Sequence, residues 1–186
     1  MSLSPTPNVK EPVAVIDIGS NSVRLVVYDG LIRAPTPIFN EKVLCGLGRS
    51  VASTGRLGAE ATGRALAALR RFRVIVEMLG AKTCKAFATA AVREAVDGAD
   101  FIGLAETAAG VHIDILSGER EAELAAKGIM LGFSAADGLA GDLGGGSLEL
   151  VDICGEVRRN AATLPLGGLR LIDVTGDRLD KAQELA

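Results

Sequence analysis

The chain has 186 residues, a formal net charge of -3 at pH 7, 48% hydrophobic residues and only 3% aromatic ones. This length allows one sizeable domain or two small ones, and the slightly acidic balance gives no general case for nucleic-acid binding. No apolar run reaches the ~18 residues that suggest a membrane span, and the three cysteines show no metal-ligand spacing. We therefore expect a cytoplasmic protein with free thiols that binds neither nucleic acid nor a membrane.

Hydrophobic patterning predicts an α/β fold that begins after a flexible, proline-containing leader at 1–12. The predicted strands lie at 13–18, 23–28, 38–44, 82–89 and 111–116. The predicted helices lie at 59–79, 90–95, 101–109 and 118–131, and only a glycine- and serine-rich connection is predicted at 46–58. The apolar stripe of the first helix is predicted to consist of Leu66, Leu69, Phe72, Ile75, Val76 and Leu79. The order βββαβαβα over 13–135 is that of a ribonuclease-H-like lobe of the actin type.

A second set of strands is predicted at 138–143, 148–153 and 156–164, followed by a helix at 169–174. By comparison with the first set, the later helices and strands of a full lobe do not follow. A three-stranded sheet with little cover leaves apolar surface exposed. We therefore expect 136–186 to be the incomplete start of a second, truncated actin-like lobe, in a fragment of a longer protein.

The chain also repeats itself 125 positions apart, since the stretch at 17–26 returns at 142–151. Each copy opens with an aspartate, turns through glycine and small polar residues, and leaves as an apolar strand. Backbone N–H groups of such a turn suit a phosphate, whereas the leading Asp17 and Asp142 suit a hard divalent cation. The predicted phosphate-binding residues are Gly19, Ser20, Asn21, Ser22, Gly144, Gly145, Gly146 and Ser147. One such turn is usually an ordinary hairpin, but two in matching contexts favour a shared cleft between two lobes.

Glu121 lies in the first turn of the helix predicted before the second copy and is a candidate catalytic residue. At roughly 100° per residue, it points away from Glu119 and Glu123 and lies in line with Ala125, Gly128 and Gly132. That small-residue face suits close packing, where a charge is unexpected unless it has a function. The alternative is that Glu121 only complements the positive end of the helix dipole.

Arg93 stands where a predicted strand hands over to a helix, the region in which open α/β sheets bind ligands. Its guanidinium group suits phosphate oxygens. The alternative is a salt bridge to Glu94, Asp97 or another surface carboxylate. His112 is the only histidine, which excludes histidine-based triads and multi-histidine metal sites, and we expect it to be structural.

Glu149 lies on the strand that leaves the second turn, at the position that Arg24 occupies in the first copy. The period-2 alternation of a strand places it on the same face as Ser147 and Val151. A carboxylate so close to a phosphate-binding turn is well placed beside a metal ion. The alternative is an exposed charge on a strand.

Four stretches together resemble the exopolyphosphatase and guanosine pentaphosphate phosphatase family (Ppx/GppA) of the actin-like superfamily. They are Asp-Ile-Gly-Ser-Asn-Ser at 17–22, Ala-Thr-Ala-Ala-Val-Arg-Glu-Ala at 88–95, Leu-Ser-Gly-Glu-Arg-Glu-Ala at 116–122 and Gly-Asp-Leu-Gly-Gly-Gly-Ser-Leu-Glu-Leu at 141–150. The internal repeat alone fits many members of the superfamily. The Ser-Gly-x-x-Glu helix start and the Gly-Gly-Gly-Ser-x-Glu-Leu turn narrow the likeness to this one family.

The resemblance implies removal of the terminal phosphate from polyphosphate, from guanosine pentaphosphate, or from both, with Mg2+. It implies that Glu121 is the general base that activates water and that Arg93 steadies the phosphoryl group. Asp142 and Glu149, and more weakly Asp17, match the acidic residues around the metal. Family members have a complete second lobe, so the fragment alone is expected to be weak or inactive. The likeness also allows a homodimer of the full-length protein.

Two other functions remain open at this point. A non-catalytic sensor of guanosine penta- or tetraphosphate would keep the two turns without needing Glu121. An ATP-dependent sugar or acid kinase of the same fold would need an adenosine-binding segment in another part of the protein. The presence of both Glu121 and Arg93 favours the phosphatase. The sequence does not rank polyphosphate against guanosine pentaphosphate.

Overall fold

The computed structural model of the chain describes residues 11–133, 135–155, 157–176 and 178–185. Most of the leader predicted at 1–12 lies outside these residues. The strands are β1 (Val13–Ile18), β2 (Ser22–Tyr28), β3 (Pro37–Leu44), β4 (Thr83–Ala88), β5 (Ile113–Ile115), β6 (Asp137–Leu143), β7 (Leu148–Cys154) and β8 (Val157–Leu164). The helices are α1 (Val51–Thr54), α2 (Ala59–Met78), α3 (Ala90–Glu94), α4 (Gly98–Ala109), α5 (Gly118–Gly132), α6 (Gly168–Thr175) and α7 (Leu179–Leu185), with a 3-10 turn (Leu47–Ser50) before α1.

The first sheet contains five strands in the order β3-β2-β1-β4-β5. β1 pairs with β2, and β2 with β3, in antiparallel fashion through short connections. β4 lies parallel to β1, and β5 parallel to β4, because helices cross over between these strands. This arrangement confirms the predicted βββαβαβα order. It also brings the chain just after β4 and β5 to the same edge of the sheet as the turn between β1 and β2.

The core of the first sheet is mainly aliphatic, as expected for a chain with few aromatic residues. On α2, Leu69, Phe72 and Val76 are buried as predicted, but Leu79 is 36% exposed, so the prediction that it belongs to the buried stripe is wrong. Leu66 and Ile75 are half-buried and pack against the same core. Three alanines that the pattern did not single out are also buried, Ala61, Ala65 and Ala68. Alanine loses no side-chain entropy on burial and lets a helix lie close to a sheet.

The second sheet is antiparallel, in the order β6-β7-β8. Its buried face packs against α5, where Ala122 and Ala126 meet Val151 and Ile153. α5 therefore follows the last strand of the first sheet along the chain but packs against the second sheet. The lobe boundary predicted after residue 135 stays a prediction.

The packed face of α5 is not the one that the sequence pattern predicted. Gly128 and Gly132 are exposed, and a methyl group at either position would meet nothing within 4 Å. The expectation of a tightly packed glycine face is therefore wrong, because the second sheet selects the neighbouring alanine face instead. On the exposed side of the helix, Glu123 pairs with Lys127 at 2.7 Å.

Three helical segments in the described part of the chain lie where none was predicted. The 3-10 turn and α1 occupy part of the connection at 46–58, and α7 follows α6. The three cysteines are free, as expected. His112 is exposed and lies beside Glu106. None of the helices in the described part of the chain is both long and apolar enough to cross a membrane.

Candidate active site

The two repeated turns line one cleft of about 530 Å³. All eight predicted phosphate-binding residues lie in its wall, together with the side chains of Asp17, Glu121 and Asp142. Arg93 and Glu149 do not line the cleft. However, Arg93 contacts Glu121, and Glu149 lies opposite Asp142 in the strand register. The structure thus brings the predicted site residues together in one place.

The two turns are closed by the same hydrogen bond. Gly19 N donates to Ser22 O at 3.0 Å, and Gly144 N donates to Ser147 O at 2.9 Å. The aspartates that open the two copies occupy matching positions on β1 and β6, but the residue opposite Asp17 is positively charged and the residue opposite Asp142 is negatively charged. Asp17 lies opposite Arg24 in the strand register, whereas Asp142 lies opposite Glu149. The backbone is therefore repeated while the charge pattern is not.

The carbonyl groups of the first turn are held by the segment that follows β3. Asn21 O accepts from Cys45 N and Gly46 N at 2.9 and 2.8 Å, and Ser20 O accepts from Gly48 N at 2.8 Å. The amide groups of Ser20 and Asn21 have no acceptor in the described part of the chain. Two backbone donors are therefore left in a turn that lines the cleft.

The second turn is held in the same way by the start of α6. Gly144 O accepts from Gly168 N at 3.1 Å, and Gly145 O accepts from Leu169 N at 2.9 Å. The amide groups of Gly145 and Gly146 have no acceptor among the residues that the structure describes. Since oriented backbone amides form anion sites, the two turns together offer donors from two sides of the cleft to a phosphate group.

Glycine is required at 146 because the two turns touch. A methyl group at Gly146 would lie 2.7 Å from Ser20 Oγ and 2.8 Å from the Cβ atom of Ala90. Ser20 is buried, and its Oγ accepts a hydrogen bond from Ala91 N at 3.2 Å. The second turn is thus packed directly on the first turn and on the start of α3.

The substitution Gly146→Ala is expected to lower the free energy of unfolding by about 1–3 kcal/mol, because the added methyl group overpacks the contact between the turns. Gly128→Ala on the exposed side of α5 is the matched control, where nothing lies within 4 Å. It is expected to be neutral or stabilising by up to ~1 kcal/mol. Urea unfolding of both variants measures the difference, and equal stabilities would contradict a tight contact at Gly146.

α6 is also tied to the first sheet's connections by side chains. Asp173 accepts from Ser53 N at 3.0 Å and from Ser53 Oγ at 2.6 Å. Arg170 pairs with Glu94. These contacts hold α6, and with it the second turn, against α1 and α3.

Arg93 and Glu121 form an ion pair beside the cleft. Arg93 Nη1 donates to Glu121 Oε2 at 3.2 Å and to Leu116 O at 2.6 Å. Both side chains are largely shielded, being 25% and 20% exposed. The alternative partners predicted for Arg93 are engaged in other contacts, since Glu94 pairs with Arg170 and Asp97 lies beside Arg56.

The pKa of Glu121 is raised above its ordinary value. Burial is the main cause and the nearby charge of Glu149 adds to it, while Arg93 acts in the opposite direction. A carboxylate with a raised pKa is a better proton acceptor than an exposed glutamate. Glu121 therefore combines a place in the cleft wall with a raised pKa.

Glu149 is buried, at 2% exposure, on the covered face of β7. Its Oε1 atom has no hydrogen-bond partner in the described part of the chain. Burial raises its pKa, and the charge of Asp142 adds to this effect. The predicted alternative of an exposed strand charge is therefore excluded. A buried, unsatisfied carboxylate oxygen is costly unless a cation or donor approaches it.

The acidic residues fit a magnesium ion only in part. No three histidine, cysteine, aspartate or glutamate side chains in the described ranges are close enough to hold a metal by themselves. Mg2+ does not need such a cage, because it keeps several waters and takes one or two carboxylates together with substrate phosphates. Asp142 and Glu149, opposite each other in the register of β6 and β7, supply this donor type. The pKa of Asp17 is also raised, mainly by burial.

The sequence prediction missed two features of the cleft. Lys42 lies in its wall, but its place depends on the register of β3 against β2, which the sequence pattern does not give. The glycine pair at 167 and 168 caps the second turn, and its position after the third strand of the repeat was an available signal. Glycine is required at 167, since a methyl group there would lie 2.3 Å from the carbonyl carbon of Gly146.

Comparison with known proteins points to one family. A family model described as the Ppx/GppA phosphatase family matches residues 26–178. Exopolyphosphatase 1 of Mycobacterium leprae is 33% identical over 162 residues, which cover 86% of this chain and 48% of that protein. The chain spans about half the length of the curated relatives it matches.

Solved structures show the same likeness. A crystal structure of an exopolyphosphatase from Cytophaga hutchinsonii has a TM-score of 0.85 at 31% identity, covering 92% of this chain and 57% of that one. The PPX-GPPA enzyme of Aquifex aeolicus has a TM-score of 0.76 at 26% identity, covering 94% of this chain and 60% of that one. The predicted α/β fold of the actin type is confirmed by these likenesses.

Proposed function

This chain belongs to the Ppx/GppA phosphatase family, and on that premise we propose that its cleft hydrolyses the terminal phosphate of inorganic polyphosphate, of guanosine pentaphosphate, or of both. The observation that carries this proposal is the Arg93–Glu121 ion pair beside two turns with unpaired backbone amides. Phosphoryl transfer depends mainly on positioning and on neutralising charge, and this cleft provides groups for both.

In the proposed reaction a water molecule attacks the terminal phosphorus atom. Glu121 accepts the proton of that water as the new P–O bond forms. The bond from the same phosphorus to the bridging oxygen breaks, and the shortened chain leaves with that oxygen. Arg93 and the amide groups of Ser20, Asn21, Gly145 and Gly146 hold the phosphate oxygens and balance their charge.

Asp142 and Glu149, with Asp17 as a further candidate, would hold Mg2+. The support for this is the unsatisfied buried oxygen of Glu149 and its place opposite Asp142. When bound, Mg2+ supplies positive charge that offsets the charge of the phosphate oxygens. Cytoplasmic location and a homodimer of the full-length protein stay predictions.

Phosphate release by the full-length protein tests the proposal and ranks the substrates. Long-chain polyphosphate, guanosine pentaphosphate and ATP are offered separately, with Mg2+ and with EDTA. We expect Mg2+-dependent release from one or both of the first two and little from ATP. Tight binding of guanosine pentaphosphate with no release from any compound would instead support the non-catalytic sensor.

A further inference from the structure

Lys42 is a cation in the cleft that the proposed reaction does not use. Among the described residues that line the cleft, it is the only lysine or arginine. Its side chain is exposed, and it has no ion-pair partner in the part of the chain that the structure describes. By contrast, the neighbouring Glu41 pairs with Arg71. The charge of Lys42 is therefore free to meet an anion in the cleft.

The strand register places Lys42 on the same sheet face as the cleft residues of β1. Lys42 lies opposite Arg24, and Arg24 lies opposite Asp17. Residues in direct register have side chains on one face of the sheet. Arg24 is engaged by Asn40, to which its Nε donates at 2.9 Å. Neither Arg24 nor Lys42 has an ion-pair partner among the residues that the structure describes, but of the two only Lys42 belongs to the lining of the cleft.

The order of the strands separates Lys42 from the reacting end of the cleft, which is the end at Arg93 and Glu121. Arg93 follows β4, and β3 and β4 are separated by β2 and β1. At about 4.8 Å for each of the three steps between neighbouring strands, this distance is roughly 14 Å in the plane of the sheet. A phosphate held at Arg93 and Glu121 therefore lies across the cleft from the strand that carries Lys42. A longer anion that crosses the cleft would meet both ends.

The charge of the cleft explains why a cation is needed at the far end. Asp17, Glu121 and Asp142 line it, whereas Arg24 and Arg93 lie beside these carboxylates and are not part of the lining. A polyanion that extends from the reacting end would pass these carboxylates. Burial raises the pKa of Asp17, and the charge of Arg24 and, to a smaller extent, that of Lys42 oppose this rise, so Lys42 already acts on one of these carboxylates.

We propose that Lys42 binds the internal phosphates of a long polyphosphate and so favours long chains over short ones. This inference rests on the proposed function, because it takes the Arg93–Glu121 end as the place of the terminal phosphate. It makes Lys42 a specificity-determining residue that touches the substrate away from the reacting phosphorus.

The test compares Lys42→Gln with Lys85→Gln in the full-length protein. Lys85 is an exposed lysine on β4, on the same sheet face but outside the cleft lining. The dissociation constants of long-chain polyphosphate and of pyrophosphate are measured by calorimetric titration with Mg2+ at low and moderate salt. We expect Lys42→Gln to weaken long-chain binding about five- to tenfold, with a much smaller change for pyrophosphate. The loss should shrink as salt increases.

The outcomes separate this inference from the proposed function. An equal loss for both ligands, or no loss for either, would overturn the role of Lys42 while leaving the phosphatase proposal intact. The same loss in Lys85→Gln would also overturn it, because the effect would then come from general surface charge. If the unsubstituted protein binds neither ligand, the proposed function and the inference both fail.

Discussion

Replacing Glu121 by glutamine in the full-length protein is expected to lower the rate of phosphate release by about 10²–10⁴-fold, the usual contribution of a general base. Glutamine keeps the size of the side chain and can still accept a hydrogen bond from Arg93, so the dissociation constant of polyphosphate should change little. Initial rates and binding titrations on the same preparations separate the two effects. A rate within about threefold of the unsubstituted protein would remove Glu121 from the mechanism.

Glu119→Gln is the matched control for this substitution. Glu119 lies on the same helix turn, and its side chain is 82% exposed. The pH profile adds a second readout. As the solution is made more acidic, the rate should fall when Glu121 becomes protonated. Because the pKa of Glu121 is raised, this fall should begin at a higher pH than it would for a glutamate with an ordinary pKa. This acidic limb should disappear in Glu121→Gln and persist in Glu119→Gln.

Replacing Glu149 by glutamine is expected to weaken Mg2+ binding by about 10–100-fold. Without Mg2+, the same substitution should stabilise the protein at pH 8 by on the order of 1–3 kcal/mol, because it removes a buried charge whose Oε1 atom has no hydrogen-bond partner among the described residues. The pKa of Glu149 is higher in the folded protein than in the unfolded one. Its favourable contribution to the free energy of unfolding is therefore present at pH values below the unfolded-state pKa and is lost as the pH rises through the folded-state pKa. Glu149→Gln should therefore flatten the dependence of stability on pH.

Thermal unfolding with Mg2+ and with EDTA measures both effects. Asp152→Asn is the control, since Asp152 lies on the same strand and is 37% exposed beside Arg159. It should leave the Mg2+-induced rise in Tm unchanged. If Glu149→Gln lowers stability in EDTA and keeps the full response to Mg2+, then Glu149 is a structural residue and not part of a metal site.

The parts of the site that depend on local sequence were predictable. Each turn is fixed by neighbours within a few residues, so the hydrogen bonds from Gly19 to Ser22 and from Gly144 to Ser147 follow from the repeated pattern. Strand alternation also places Glu149 on the same face as Ser147 and Val151, but it left open whether that face is exposed or, as the structure shows, buried.

The parts that depend on packing between distant elements were not predictable in the same way. Periodicity shows that α5 has a small-residue face, but the second sheet decides that Ala122 and Ala126 pack and that Gly128 does not. Lys42 reaches the cleft only because β3 pairs with β2 in one particular register. The pairing of Arg93 with Glu121 joins two segments that follow different strands. Each of these three features forms only when the strands are already paired and packed, so the local sequence does not predict it.

Analysis of the products made from long-chain polyphosphate with Mg2+ tests the central claim most directly. If the terminal phosphate lies at Arg93 and Glu121, the full-length protein should release single phosphates while gel electrophoresis shows the chains shortening from their ends. Chains cut into pieces of intermediate length, or chains that bind tightly and stay uncut, would contradict the placement of a hydrolytic site at this end of the cleft.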